Sequence, residues 1–222
     1  MRINRFIALC SGLSRRAADA AVQEGRVLVN GTPPQPGRIV RPEDTVTLDG
    51  KPLKAPQGTQ TILLHKPRGY VVSRNGQGSK TIYDILPPEL QSLKPIGRLD
   101  KDSSGLLLLT DNGVLANELT HPRYQKTKIY EIELDQPLQP LHQQMITDIG
   151  VLLDDGPSKL GLARMHEGND YAWRITMQEG RNRQIRRTFA ALGYTVSRLH
   201  RTHFGAYAIA DLSSGQHRPL AE

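Results

Sequence analysis

Only one cysteine, Cys10, is present. A disulfide within the chain is therefore excluded, and so is a zinc site built on several cysteines. Long apolar runs are missing too. The opening stretch, MRINRFIALCSGLSRR, is interrupted by Arg5 and is too short for a secretory core or a membrane span. A cytoplasmic protein is expected. There is no internal repeat and no low-complexity tract, which leaves an ordinary globular chain. Acidic residues are in the minority, with 22 Asp and Glu against 29 Lys and Arg. The net charge of +7 and the pI of about 9.7 point to a polyanionic partner, most simply nucleic acid. No compact histidine and carboxylate cluster occurs. His200 and His203 stand three apart, but no carboxylate or third histidine nearby completes a ligand set, so contact with the polyanion or surface exposure is expected of them.

What is there suggests two domains. The 222 residues are 37% hydrophobic, enough for a core. Residues 1–54 read as a separate unit. Ile3, Phe6, Ile7 and Cys10 share one helical face, and Gly12 ends that helix. Ser14 is a suitable N-cap for a second helix over 15–24, with Gly25 as its stop. Residues 26–30 alternate like a strand, and Asn30-Gly31 and Asp49-Gly50 are hairpin turns. Arg2, Arg5, Arg15, Arg16 and Arg26 gather at the helix starts and the following turn, where free N–H groups favour an anion; they are the expected RNA-docking residues.

Residues 55–60 read as a linker, and residues 61–222 as the larger domain. Strands are expected over 61–65, 70–72, the leucine run 106–109 ended by Thr110, 126–134, 171–177 and 194–199. Helical pieces are expected over 81–86, 114–120, 139–150 and 185–192. Without regular βαβ alternation, the expectation is an α+β fold: a small N-terminal unit, then a largely antiparallel mixed sheet flanked by helices.

Three segments of this domain carry candidate chemistry, one of them the strand on which Tyr130 shares a face with Lys128. The first is GRLDKDSSGLLLLT (97–110). Asp100, flanked by Arg98 and Lys101, closes a polar turn, and four leucines follow. A rigid strand bearing a charged loop is a common way to aim chemistry. A salt-bridged turn is the plainer reading of an isolated acid there. The third segment is EGRNRQIRR (179–187). Arg181, Arg183, Arg186 and Arg187 bring four positive charges into seven residues, a density that calls for an anion. Ile185 and Phe189 face inward at helical spacing, and Arg186 is placed to meet a carboxylate in a cleft. The plainer reading is a solvated phosphate-binding face.

These strings resemble those of bacterial ribosomal-RNA pseudouridine synthases of the Rsu type. LHKPRGYVVS (64–73), KIYEIEL (128–134) and SRLHR (197–201) extend the resemblance over 61–220 in the same order. SRRAADAAVQEGRVLVNG (14–31) resembles an S4-type RNA-binding domain. The resemblance implies an isomerase that detaches uracil from its ribose, rotates it and rejoins it through ring carbon 5, without cofactor or metal. It makes Asp100 the essential carboxylate, acting as nucleophile or base. Arg186 corresponds to an arginine that pairs with that carboxylate and holds it charged and oriented. Tyr130 corresponds to a tyrosine that stacks on the target base, and Leu199 to an apolar wall of the pocket. Arg98 is expected to contact RNA. Lys66, Arg68, Arg181, Arg183 and Arg187 are expected among the substrate-binding residues, Lys66 and Arg68 as phosphate contacts or loop supports.

Asp102 is expected to be a structural ion-pair or turn acceptor, Trp173 a core residue, and Gly105 a point of close backbone approach. Two departures stand out. The family often has an aromatic residue or His where this chain has Arg183, and commonly Met where it has Thr188. The implied partner is ribosomal RNA, free or in an assembling ribosomal particle. A monomer is expected. RNRQIRR leans toward large-subunit enzymes. The rival reading is a non-catalytic RNA-binding or ribosome-assembly protein that kept the fold. An RNA hydrolase would want an acid–base pair or metal carboxylates, which the sequence lacks.

Overall fold

The computed structural model describes residues 1–54 and 58–220, so residues 55–57 of the expected linker lie outside the described residues. The chain divides into two compact units, Met1–Thr59 and Gln60–Glu222.

The first unit holds helices α1 (Ile3–Ser11) and α2 (Arg15–Gln23) and strands β1 (Val27–Val29), β2 (Val46–Leu48) and β3 (Lys51–Pro52). Gly12 takes the left-handed conformation that ends α1. The Ser14 hydroxyl accepts from the Ala17 N–H and caps α2. Ile3, Ile7, Ala18, Ala21 and Val22 pack on Val27, Val29, Val40 and Val46 to form this unit's core. Asp49 and Gly50 both have positive φ, and they join β2 to β3 as a tight antiparallel hairpin. Asn30 and Gly31 also turn with positive φ, but only a Val29–Thr32 bridge follows. The partner of β1 is β2, because the Asn30 side chain reaches forward to the Thr45 N–H and to Asp44.

The second unit contains β4 (Thr61–Lys66), β5 (Lys94–Pro95), β6 (Ser104–Thr110), α3 (Gly113–Thr120), β7 (Lys128–Leu134), α4 (Pro140–Gln144), β8 (Val151–Leu153), β9 (Gly156–Ser158), β10 (Gly161–Arg164), β11 (Ala172–Met177), α5 (Gln184–Ala190), β12 (Val196–Phe204), β13 (Tyr207–Ala208) and β14 (His217–Pro219). The main sheet runs β10-β11-β7-β12-β6-β4-β14, with β5 on β6 and β13 on β12; β8 and β9 form a separate hairpin. Every pairing is antiparallel except β12 with β6.

Strand β6 lies inside this sheet, and Leu106 to Leu109 are fully buried. Leu107 and Leu109 enter one core and Leu106 and Leu108 the other. A strand covered on both faces has no polar alternation, which is why the leucine run is unbroken. Each such side chain contributes about 1.5–3 kcal/mol of burial. Trp173 is fully buried in the first of these cores.

Some elements differ from the sequence expectation. Tyr70–Val72 is not a strand, because Gly69 turns with φ +91° and its N–H bonds to the Lys101 carbonyl; only a Val71–Thr81 bridge remains. The expected helix over 139–150 is α4 followed by a wider π-type turn, Met145–Ile149. The β8–β9 hairpin, β10 and β14 lack a sequence pattern strong enough to announce them. Among the described residues no helix is long and apolar enough to cross a membrane, and no group of three or more His, Cys, Asp or Glu is placed to hold a metal.

Candidate active site

Asp100 sits in the turn that enters β6. The Ser103 N–H bonds to the Asp100 carbonyl at 3.1 Å and closes that turn. Lys66, at the end of β4, lies beneath it, fully buried. Its Nζ donates to the carbonyls of Pro67 at 3.0 Å, Asp100 at 3.0 Å and Ser103 at 2.7 Å. Burial pushes the Lys66 ammonium down to about 8, against the attraction of Asp102 and Asp100. Lys66 therefore supports the loop and is not a phosphate contact, because its donors are spent on main-chain carbonyls.

The second wall is the junction leading into α5. Arg183 takes a left-handed conformation (φ 46°, ψ 31°) immediately before the helix. Its Nη1 lies 3.4 Å from Asp100 Oδ2 and 3.4 Å from Asp102 Oδ1, bridging the two acids. Arg186 pairs through Nη2 with Asp102 Oδ2 at 3.3 Å and also donates to the carbonyls of Asp102 and Val196. This corrects the expected pairing: Arg186 holds Asp102, and the ion pair on Asp100 comes from Arg183. Arg183 stands just before α5 and Arg186 within its first turn, and from there Arg186 also reaches the Asp102 and Val196 carbonyls, which fixes it on the Asp102 side of the loop. Burial raises the Asp102 carboxyl, but the Arg186 and Arg183 guanidiniums outweigh it and hold the group below its ordinary value.

The other two arginines of this segment are engaged by acceptors of the protein itself. Arg181 pairs with Asp155 at 2.8 Å and Glu179 at 3.3 Å, and donates to the Gly156 and Pro157 carbonyls. Arg187 pairs with Asp155 at 2.7 Å and donates to the Asn182 carbonyl. Both tie α5 to the β8–β9 hairpin. Arg187 does not line the cleft between the two walls, whereas Arg181 does, and the Arg181 Nε is buried without a partner.

An open cleft of about 1290 Å³ lies between these walls. Asp100, Arg98, Arg183, Tyr130 and Leu199 all line it. Tyr130 (β7) and Leu199 (β12) are both buried and belong to the same core cluster. Gly105 permits the β6–β12 pairing that brings Leu199 beside the Asp100 loop. It has φ +110°, and a Cβ there would lie 2.2 Å from the Arg201 carbonyl oxygen. Arg98 is exposed. Arg68 is exposed and does not line the cleft, although its charge is felt by Arg186.

Two cations of the cleft escaped the sequence reading of roles: Lys128 and Arg201 both line it. Their signal lay in KIYEIEL and SRLHR, but which face of β12 Arg201 occupies depends on the register shifts in its pairing with β7. His200 is nearly buried, 2.9 Å from Ser104 Oγ and stacked edge-on against His65. That corrects its expected surface position: β12 is an interior strand, so successive residues face two covered sides. His203 is exposed.

In the first unit Arg2, Arg15 and Arg16 are exposed and Arg5 is half-buried. Arg26 differs from the expected docking residue: Nε and Nη2 grip the Asp49 carboxylate at 2.8 and 2.7 Å, and Nη1 meets Glu24. The bidentate fork pins the β2–β3 turn.

Residues 60–191 match the family model for RNA pseudouridylate synthase, and residues 1–46 match that for the S4 domain. A relative from Aquifex aeolicus, named an uncharacterized RNA pseudouridine synthase, is 38% identical over 99% of this chain and 90% of its own. Ribosomal small subunit pseudouridine synthase A of Escherichia coli K12 is 35% identical, covering 100% of this chain and 97% of its own. Ribosomal large subunit pseudouridine synthase B of Xanthomonas campestris is 35% identical over 100% of this chain and 47% of its own. A crystal structure of a pseudouridylate synthase superposes with a TM-score of 0.71 at 32% identity, covering 100% of this chain and 96% of that one.

Proposed function

The chain belongs to the RNA pseudouridylate synthase family, and from that membership we propose that it converts a uridine of ribosomal RNA to pseudouridine with Asp100 as its essential group. The observation that carries this reading is the shared cleft: a carboxylate, a tyrosine ring and an apolar leucine wall in one cavity.

A uridine inside folded RNA must leave its stack before any group reaches its glycosidic bond. The Tyr130 ring receives the everted base, a stacking contact worth about 1–3 kcal/mol on comparable platforms. Leu199 closes the apolar side. Asp100 meets the sugar or the base as the bond between N1 and the ribose breaks. The uracil turns, ring carbon 5 joins the ribose, and the proton lost from carbon 5 is balanced by one gained at N1. Arg183 pairs with that carboxylate, and Arg186 with Lys66 fixes the loop that carries it. The S4 domain supplies RNA affinity through Arg2, Arg5, Arg15 and Arg16, and Arg98 contacts RNA at the cleft. The substrate is ribosomal RNA, free or within an assembling particle. The Arg181–Arg187 run leans the target toward the large subunit.

Chemical mapping of pseudouridines in both ribosomal RNAs tests this, comparing cells with the intact protein, with none, and with the Asp100→Asn variant. One signal should vanish in the last two. A signal retained with the variant would remove Asp100 from the chemistry. An unchanged map in cells lacking the protein would favour the non-catalytic RNA-binding reading.

A further inference from the structure

Lys128 is half-buried and Arg201 buried, and among the described residues neither has a counter-ion. Lys128, on β7, donates from Nζ to the carbonyls of Gln178 at 3.1 Å and Glu179 at 3.3 Å. Arg201, on β12, is 2% exposed; its Nε donates to the Leu106 carbonyl, and its Nη2 is buried with no partner. Both lie over the Phe204 ring, Lys128 at 5.3 Å and Arg201 at 4.9 Å from its centroid. Among the described residues, neither is in an ion pair. The acid whose charge reaches Lys128 is Glu179, and its carboxylate is already engaged by Arg181 and Gln184.

Burying two like charges side by side is costly unless an anion joins them. Burial first and Arg201 second push the Lys128 ammonium below its ordinary value, as expected of a site lacking its anion. The location identifies that anion. Both cations line the cleft, and Arg201 is the cross-strand Cα partner of Tyr130. Neighbouring strands lie about 4.8 Å apart, so the pair is next to any base stacked on that tyrosine.

We propose that Lys128 and Arg201 form a phosphate subsite beside Tyr130, which takes a phosphodiester flanking the everted uridine. The proposal rests on the reading of the cleft as a nucleotide site. Binding there pulls the target strand into the cleft and offsets part of the cost of unstacking. The two cations thereby set the register of the RNA against Asp100.

The test uses the full chain and the ribosomal RNA fragment in which it makes pseudouridine. Lys128→Met keeps the stem over Phe204 and removes the charge. It should raise KM about tenfold and lower the slope of log affinity against log salt by about 1, and Lys128→Arg should restore both. A second arm needs no variant: a neutral methylphosphonate replaces the phosphodiester on either side of the target uridine in turn. One of the two positions should lose about tenfold in affinity for the unaltered enzyme. A Lys128→Met enzyme with unchanged KM and salt slope, or full affinity for both neutral linkages, would overturn the subsite. Those outcomes leave pseudouridine formation intact and so stand apart from a failure of the functional reading, which would show as no conversion by the unaltered enzyme.

Discussion

Arg186 and Asp102 form an ion pair at 3.3 Å, two residues beyond the acid assigned to the chemistry. The same guanidinium donates to the Asp102 and Val196 carbonyls, so one side chain ties the turn before β6 to the start of β12. Asp102 thus braces the loop, and Asp100 faces the cleft with Arg183 as its ion-pair partner.

Substituting the two acids should therefore give different losses. Asp100→Asn is expected to abolish pseudouridine formation while RNA affinity falls less than about tenfold, since one lost carboxylate makes no phosphate contact. Asp102→Asn should slow turnover on the order of 10²-fold by letting the loop shift, and leave it measurable. Single-turnover assays on the same RNA compare them. Equal losses, or the reverse order, would move the essential role to Asp102.

Lys66→Met tests the loop support. It leaves three carbonyl acceptors without their donor, at about 1–3 kcal/mol for a buried unsatisfied group. Turnover should fall on the order of 10²-fold, with the salt dependence of RNA binding unchanged. A phosphate-contacting lysine would instead lower the salt slope by about 1.

Lys66 also sets a pH dependence. The unfolded chain keeps this proton up to 10.5, the folded one only up to about 8. Between those values the unfolded state binds more protons, so stability from this group rises with pH. Urea unfolding at several pH values across that window should show a steeper rise for the unaltered protein than for Lys66→Met. Parallel curves would exclude the linkage.

Tyr130→Phe keeps the ring and removes the hydroxyl. Stacking, and hence RNA affinity, should hold, while turnover slows roughly 10- to 100-fold if the hydroxyl moves a proton at ring carbon 5. An unchanged rate would restrict Tyr130 to stacking.

Gly105→Ala should be badly tolerated. The new methyl would lie 2.2 Å from the Arg201 carbonyl oxygen, at a φ of +110°. Strain and overpacking of this kind cost roughly 1–3 kcal/mol each. Thermal unfolding should drop by about 4–24 °C at the usual conversion for this size. A midpoint within a degree of the unaltered protein would show that β6 and β12 can separate at no cost.

Much of the fold was legible along the chain. Ser14 and Gly12 mark helix ends by local hydrogen bonding and handedness, and Asp49-Gly50 marks a hairpin for the same reason. The four leucines of β6 announce a strand covered on both faces. Weak elements were hidden. Tyr70–Val72 has strand composition, yet Gly69 diverts it through a bond to Lys101, a residue far along the chain. The short β8–β9 hairpin is held at Asp155 by Arg181, ahead of α5, and by Arg187 within it.

The sequence by itself determined the two-unit organisation, the central leucine strand and the segments that carry charge, because composition, caps and periodicity act over a few neighbouring residues. Only the tertiary structure decided which arginine meets which acid, that Lys66 is spent beneath the loop, and that Lys128 and Arg201 share a ring. Those pairings join strands and helices dozens of residues apart, and ångström differences in approach, invisible to local pattern, choose between one carboxylate and the next.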